Sequence, residues 1–120
     1  MPGVLVAISI PIFTAQLEKA REATDMANIR SAYAVVQAAA LTDDTEAQIK
    51  TNDVAGVVTF AKSDAGDITA TINLKQAQDG WQSTAPQLPG MAASASPKKD
   101  GTATVTFTKS SNTTTVVFSE

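Results

Sequence analysis

Chemistry needs groups that hold protons, electrons or metal ions, and this 120-residue chain offers few of them. Cysteine and histidine are both absent. That removes the commonest general base near neutral pH, the thiolate nucleophile and the zinc ligand sets. Carboxylates remain. Asp43, Asp44 and Glu46 gather around Thr45, and Asp64 and Asp67 lie close together. These could meet a calcium ion, but their spacing does not follow the alternating positions of a dedicated calcium loop. Aspartates that shape turns are the better reading. The six glycines are scattered, so no phosphate-cradling loop forms. Trp81 stands alone and reads as the anchor of a loop rather than a stacking platform. Asn112-Thr113-Thr114 matches a glycosylation triplet, and a hairpin turn explains Asn112 equally well. No catalytic, metal-binding or cofactor-binding residue emerges, and an enzyme is disfavoured.

The residues that could act through shape lie in 3–41. Residues 4–13 are apolar or small except Ser9, with Pro11 inside the run. From Phe13 onward Leu17, Ala20, Thr24, Ala27, Ser31, Ala34, Ala38 and Leu41 recur at steps of four and three. A second row, Met26, Ile29, Tyr33, Val36 and Ala40, runs beside it. Recurrence at these steps marks helical faces, and the intervening Ala, Gln, Glu and Arg are strong helix formers. The pattern predicts one continuous helix of nearly forty residues, roughly 55–60 Å long at 1.5 Å per residue. A domain of this size cannot cover such a length, so the apolar end projects. Glu18, Lys19, Arg21, Glu22 and Asp25 fall on the projecting half and read as a solvated face, with close pairs such as Glu18–Arg21 and Arg21–Asp25. Residues 4–13 are about half of the roughly 20 apolar residues that span a bilayer.

The segment GVLVAISIPIF followed by QLEKAREATDMANIRSAYA resembles the N-terminal helix of a type IV pilin, more narrowly the cysteine-free pilins of Gram-positive bacteria. The family pattern starts upstream, with a positively charged leader, a cleavage site and an acidic residue near the new N-terminus. Only its back, residues 3–11, is present, so the resemblance implies an N-terminally truncated chain. It covers residues 3–40, about a third of the sequence. Pro11 removes a helix hydrogen bond, Gly3 weakens the helix, and Val4, Val6, Ile8 and Ile10 are β-branched. In assembled pili of related proteins the matching segment loses its helix, and the same is expected here.

Beyond the helix, the turn formers at 42–44 stop it and residues 45–52 make a polar connector with a short helical turn. Residues 54–62 and 68–75 read as a hairpin around the turn at 63–67. In its second strand Ile68, Ala70, Ile72 and Leu74 alternate with polar residues, which gives one buried and one wet face. That buried face should meet Met26, Ile29, Tyr33 and Val36. Residues 76–100 are mostly loop and hold Pro86, Pro89 and Pro97. Residues 103–109 and 113–119 form a second hairpin rich in threonine. The expectation is an α+β, type IV pilin-like fold: one long N-terminal helix packed on an antiparallel sheet of about three or four strands. Residues 1–25 form the projecting half-helix and residues 26–120 the head.

The resemblance implies a structural subunit of a surface filament for adhesion, motility or aggregation. Gly3, Val4, Leu5, Val6, Ile8, Ile10, Pro11, Ile12, Phe13 and Leu17 would build the filament core, with the membrane as the helix's resting place before assembly. Implied partners are further copies in a helical homopolymer, other pilins, the pilus assembly machinery and the prepilin peptidase. No cofactor is implied. A formal charge of −3 with Lys98-Lys99 as the lone basic pair disfavours nucleic acid. The alternative within the family is a pseudopilin of a type II secretion or competence system. Such proteins often bind calcium near the C-terminus, where residues 102–120 hold a single acid, Glu120. A third class, a secreted binding domain with an incidental helix, would need a concave aromatic site, for which Trp81 and Tyr33 are poor candidates.

Overall fold

The computed structural model describes residues 2–81, 87–92 and 95–120, with side chains in the first helix described from Gln16 onward. The side chains at 3–13, including every proposed filament-core residue except Leu17, therefore lie outside the described residues, as does Pro86. Helix α1 (Pro2–Thr42) is a single backbone helix of 41 residues and is continuous through Pro11. It ends where expected. Asp43 adopts a left-handed φ of 51°, and the Asp44 N–H donates to the Ala39 carbonyl at 3.1 Å, closing the last turn in a Schellman-type reversal. Helix α2 (Glu46–Lys50) follows at once. Its N-cap is a reciprocal box in which the Gln48 N–H donates to Thr45 Oγ1 and the Thr45 N–H to Gln48 Oε1.

Four strands, β1 (Val58–Lys62), β2 (Ile68–Asn73), β3 (Thr102–Thr108) and β4 (Thr113–Ser119), form one antiparallel sheet in the order β1-β2-β3-β4. The fold is α+β, with α1 lying across β2 and β3. Ile68, Ala70, Ile72, Ala103, Val105, Phe107 and Val116 share the inner face and bury against Met26, Ile29, Ala32, Val36 and Ala39 of α1. Tyr33 is half-buried beside this core rather than inside it. The outer face carries rows of threonine: Thr59, Thr71 and Thr104 pair across three strands, and Thr69, Thr106 and Thr115 form the next row. Threonine's β-branch suits this half-exposed pleated surface.

Two strand boundaries differ from the sequence reading by more than one residue, while β3 is shifted by one at each end, to Thr102–Thr108. The first strand starts at Val58 instead of Val54, because Gly56 at φ 74° turns the chain so that Val54 and Val58 exchange N–H···O bonds, each 3.0 Å. The second stops at Asn73 instead of Lys75, because the Lys75 and Gln76 amides turn to a side chain of α1.

Neither sheet edge is left open along its middle. On β1 the Phe60 N–H donates to Asp53 Oδ1 at 2.8 Å, Lys50 Nζ donates to the Phe60 carbonyl at 2.8 Å, and the Lys62 N–H donates to Glu46 Oε2 at 3.0 Å. The Phe60 amide, with Lys50, holds the Asp53 carboxyl below its usual range. On β4 the Val116 N–H donates to the Gly90 carbonyl at 3.1 Å, and Met91 bridges Val116 in parallel. Covered edges suppress strand-to-strand association. Gly90 has φ 84°, and a Cβ there would lie 1.9 Å from the Thr114 carbonyl oxygen. Gly90→Ala should lift this segment off β4 and cost about 1–3 kcal/mol. Thermal unfolding checks the loss, and amide exchange at Val116 should rise with it.

Candidate functional site

Among the described residues no arrangement suited to catalysis assembles. Among the described residues no group of three or more acidic side chains could hold a metal ion. Asp43 instead meets Lys62 Nζ at 3.1 Å, Glu46 caps β1, and Asp67 Oδ1 accepts the Lys109 N–H at 3.0 Å. These are turn and edge contacts. Ser96 and Lys99 have the Ser-x-x-Lys spacing of some nucleophiles, a match the sequence reading missed. Both are exposed on a loop, and the Lys99 N–H is tied to Asp79 Oδ1 at 2.7 Å. Trp81 is the loop anchor expected. Its Nε1–H donates to the Ala95 carbonyl at 3.1 Å, and its ring meets Phe118 edge-on at 5.7 Å.

A groove of about 490 Å³ opens between Tyr33, Gln37 and Leu41 on α1 and residues 89–90 and 112–114. Its polar groups are wired to one another. Thr114 Oγ1 donates to Gln37 Oε1 at 3.1 Å, and Gln37 Nε2 donates to the Tyr33 hydroxyl oxygen at 3.4 Å. This chain of bonds holds α1 to β4 and lines the groove without charge.

The helix supplies two opposed faces. One was expected to be solvated along its charged half and is not. Glu18, Glu22 and Asp25 are only 2%, 2% and 1% exposed. Asp25 accepts the Lys75 N–H at 2.8 Å on Oδ1 and the Gln76 N–H at 3.1 Å on Oδ2. Glu18 accepts the Ala77 N–H at 3.1 Å and the Gln78 N–H at 3.3 Å on Oε1. Four successive amides leaving β2 are thus taken by two helix carboxylates, which satisfies donors that burial would otherwise strand. Arg21 reaches Glu18 at 3.5 Å as the spacing predicts, whereas Asp25 turns to the loop. Burial therefore continues along α1 well before Met26.

The opposite face is bare. Ala20, Thr24, Ala27, Ser31, Ala34 and Ala38 are all exposed, flanked by Leu17 at 39% and Leu41 at 88%. Side chains this small would let another backbone approach closely. The stripe runs for over 20 residues without a charged group, and its spacing points back along the helix to Phe13. No described helix is long and apolar enough to cross a membrane.

No family model, curated protein or solved structure matches this chain.

Proposed function

We propose that this chain is a type IV pilin-like structural subunit that polymerises through α1 into a surface filament. The observation that carries the proposal is the uncharged, small-residue stripe from Leu17 to Leu41, exposed along the helix that also bears the apolar run at 3–13. The covered edges of the sheet support it, because they leave strand addition little room and make the helix the surface for self-contact. Assembly of this kind is driven by apolar burial, worth about 25 cal/mol per Å². A head-to-tail contact between non-identical patches that does not close on itself gives an open helical polymer. In that arrangement the helices line the filament centre and the threonine face of the sheet looks outward. The apolar run at 3–13 supplies the core contacts and rests in the cytoplasmic membrane before assembly.

The test is to shear filaments from the surface of cells that make the native protein and identify their subunits by mass spectrometry. Dominance of peptides such as SAYAVVQAAALTDDTEAQIK is the expected result. Absence of the protein from sheared filaments, with retention in the membrane fraction, overturns the major-pilin role and favours a pseudopilin of a secretion or DNA-uptake machine.

A further inference from the structure

The carboxylate face of α1 has one feature that anchoring a loop does not explain. Gln76 is 1% exposed. Its backbone N–H donates to Asp25 Oδ2 at 3.1 Å and its Nε2 to the Gly80 carbonyl at 3.0 Å. Its Oε1 is buried, and no donor among the described residues reaches it. A buried carbonyl oxygen without a donor is rare and unfavourable. It stands on the same residue whose amide already touches a buried carboxylate. The missing component is a donor, and a protonated carboxyl is a donor.

The charges around Asp25 favour a proton there. Glu22 and Glu18 lie one and two helical turns back on the same buried stripe, and Arg21, on the neighbouring surface, pairs with Glu18. From the strand side the charged group is Lys75, whose Nζ is held by the Gly56 carbonyl at 3.1 Å. Further along the loop Asp79 is occupied by the Lys99 amide. Burial raises the Asp25 carboxyl above its ordinary value. The Lys75 and Gln76 amides and the Lys75 charge oppose that rise without cancelling it, and Glu18 adds to it.

We propose that Asp25 takes up a proton while the chain stays folded and donates it in a hydrogen bond to Gln76 Oε1, so that the pair forms a pH-set latch between α1 and the loop leaving β2. The exchange is local. Oδ1 keeps the 2.8 Å bond from Lys75. Oδ2 gains the proton, keeps a lone pair for the 3.1 Å bond from the Gln76 N–H, and gives the new O–H···O bond to the same residue. The sign follows from linkage. The folded chain binds this proton more tightly than the unfolded chain does. The latch's contribution is therefore fully present below the ordinary aspartate value of 3.8 and is lost as pH rises through the raised value. The latch does not depend on how the chain assembles.

The experiment is an NMR titration of the 120-residue chain from pH 7 to 3, following the Asp25 carboxyl carbon with the backbone and side-chain amides of Lys75 and Gln76. The expected midpoint lies above 3.8, and the Gln76 side-chain amide titrates with it. Gln76→Met keeps the length and removes the acceptor, and it should lower the proton affinity about fivefold, the worth of one ordinary hydrogen bond. A wild-type midpoint at or below 3.8 overturns the latch, as does a Gln76 side-chain signal that stays flat through the Asp25 transition. If Gln76→Met does not fold, the wild-type side-chain signal decides alone.

Discussion

Glutamate at both Ala27 and Ala34 should leave the head folded and abolish filaments. Both positions are exposed on the face of α1 opposite the core, so the new side chains point into water in the monomer. Surface substitutions of this kind usually change stability by no more than about 0.5 kcal/mol each. Alanine to glutamate also costs little helix propensity. In a packed bundle of helices the same two carboxylates would be enclosed without partners, at several kcal/mol each. The steric clash of a longer side chain adds to that where backbones approach closely. The variant should therefore match the wild type in thermal unfolding and in membrane abundance, yet yield no sheared filaments. Filaments at wild-type levels would remove the bare stripe as the assembly surface.

The pattern of α1 was legible in part. The rows containing Met26, Ile29 and Val36 and the stop at 42–44 followed from spacing and turn chemistry, as did the alternation of Ile68, Ala70 and Ile72. The carboxylate face was not read, although its signal was present. Residues 18, 22, 25, 29, 32, 36 and 39 step by four and three without a break, so Glu18, Glu22 and Asp25 continue the stripe that Ile29 and Val36 bury. Charge argued for solvent and outweighed the spacing. The deciding partners, the amides of 75–78, lie about 50 to 60 residues away in sequence, and backbone donors leave no mark in side-chain composition. The premature end of β2 has the same cause, since the Lys75 amide that would extend the strand is spent on Asp25. Of the candidate site, Leu17 and the exposed row were readable as a helical face. Hydropathy assigns the other face, Met26, Ile29, Tyr33 and Val36, to the sheet, and the sheet covers Met26, Ile29 and Val36 with Tyr33 at the margin, because the small side chains of the bare row offer less apolar area to bury.

Ile29→Ala should produce the largest loss of stability of any single core truncation on the helix. Ile29 is wholly buried where α1 crosses the sheet, inside a cluster built mainly from aliphatic side chains with few aromatics. Removing a buried isoleucine to alanine costs about 2–5 kcal/mol through lost transfer energy and the cavity left behind. Domains of this class hold only about 5–15 kcal/mol in total, so at the middle of both ranges about a third of the stability is at stake. At roughly 3–5 °C per kcal/mol for a chain of this length, the midpoint of thermal unfolding should fall by about 10 °C or more. Leu41→Ala, at an exposed position on the same helix, should change it by a degree or two. A loss below about 1 kcal/mol for Ile29→Ala would mean that the helix is not the second half of the core. The contrast with the double glutamate variant separates the two jobs of α1. Ile29→Ala should reduce filaments by depleting the folded head, with a matching fall in unfolding temperature, whereas charge on the opposite face should remove filaments from a head of unchanged stability.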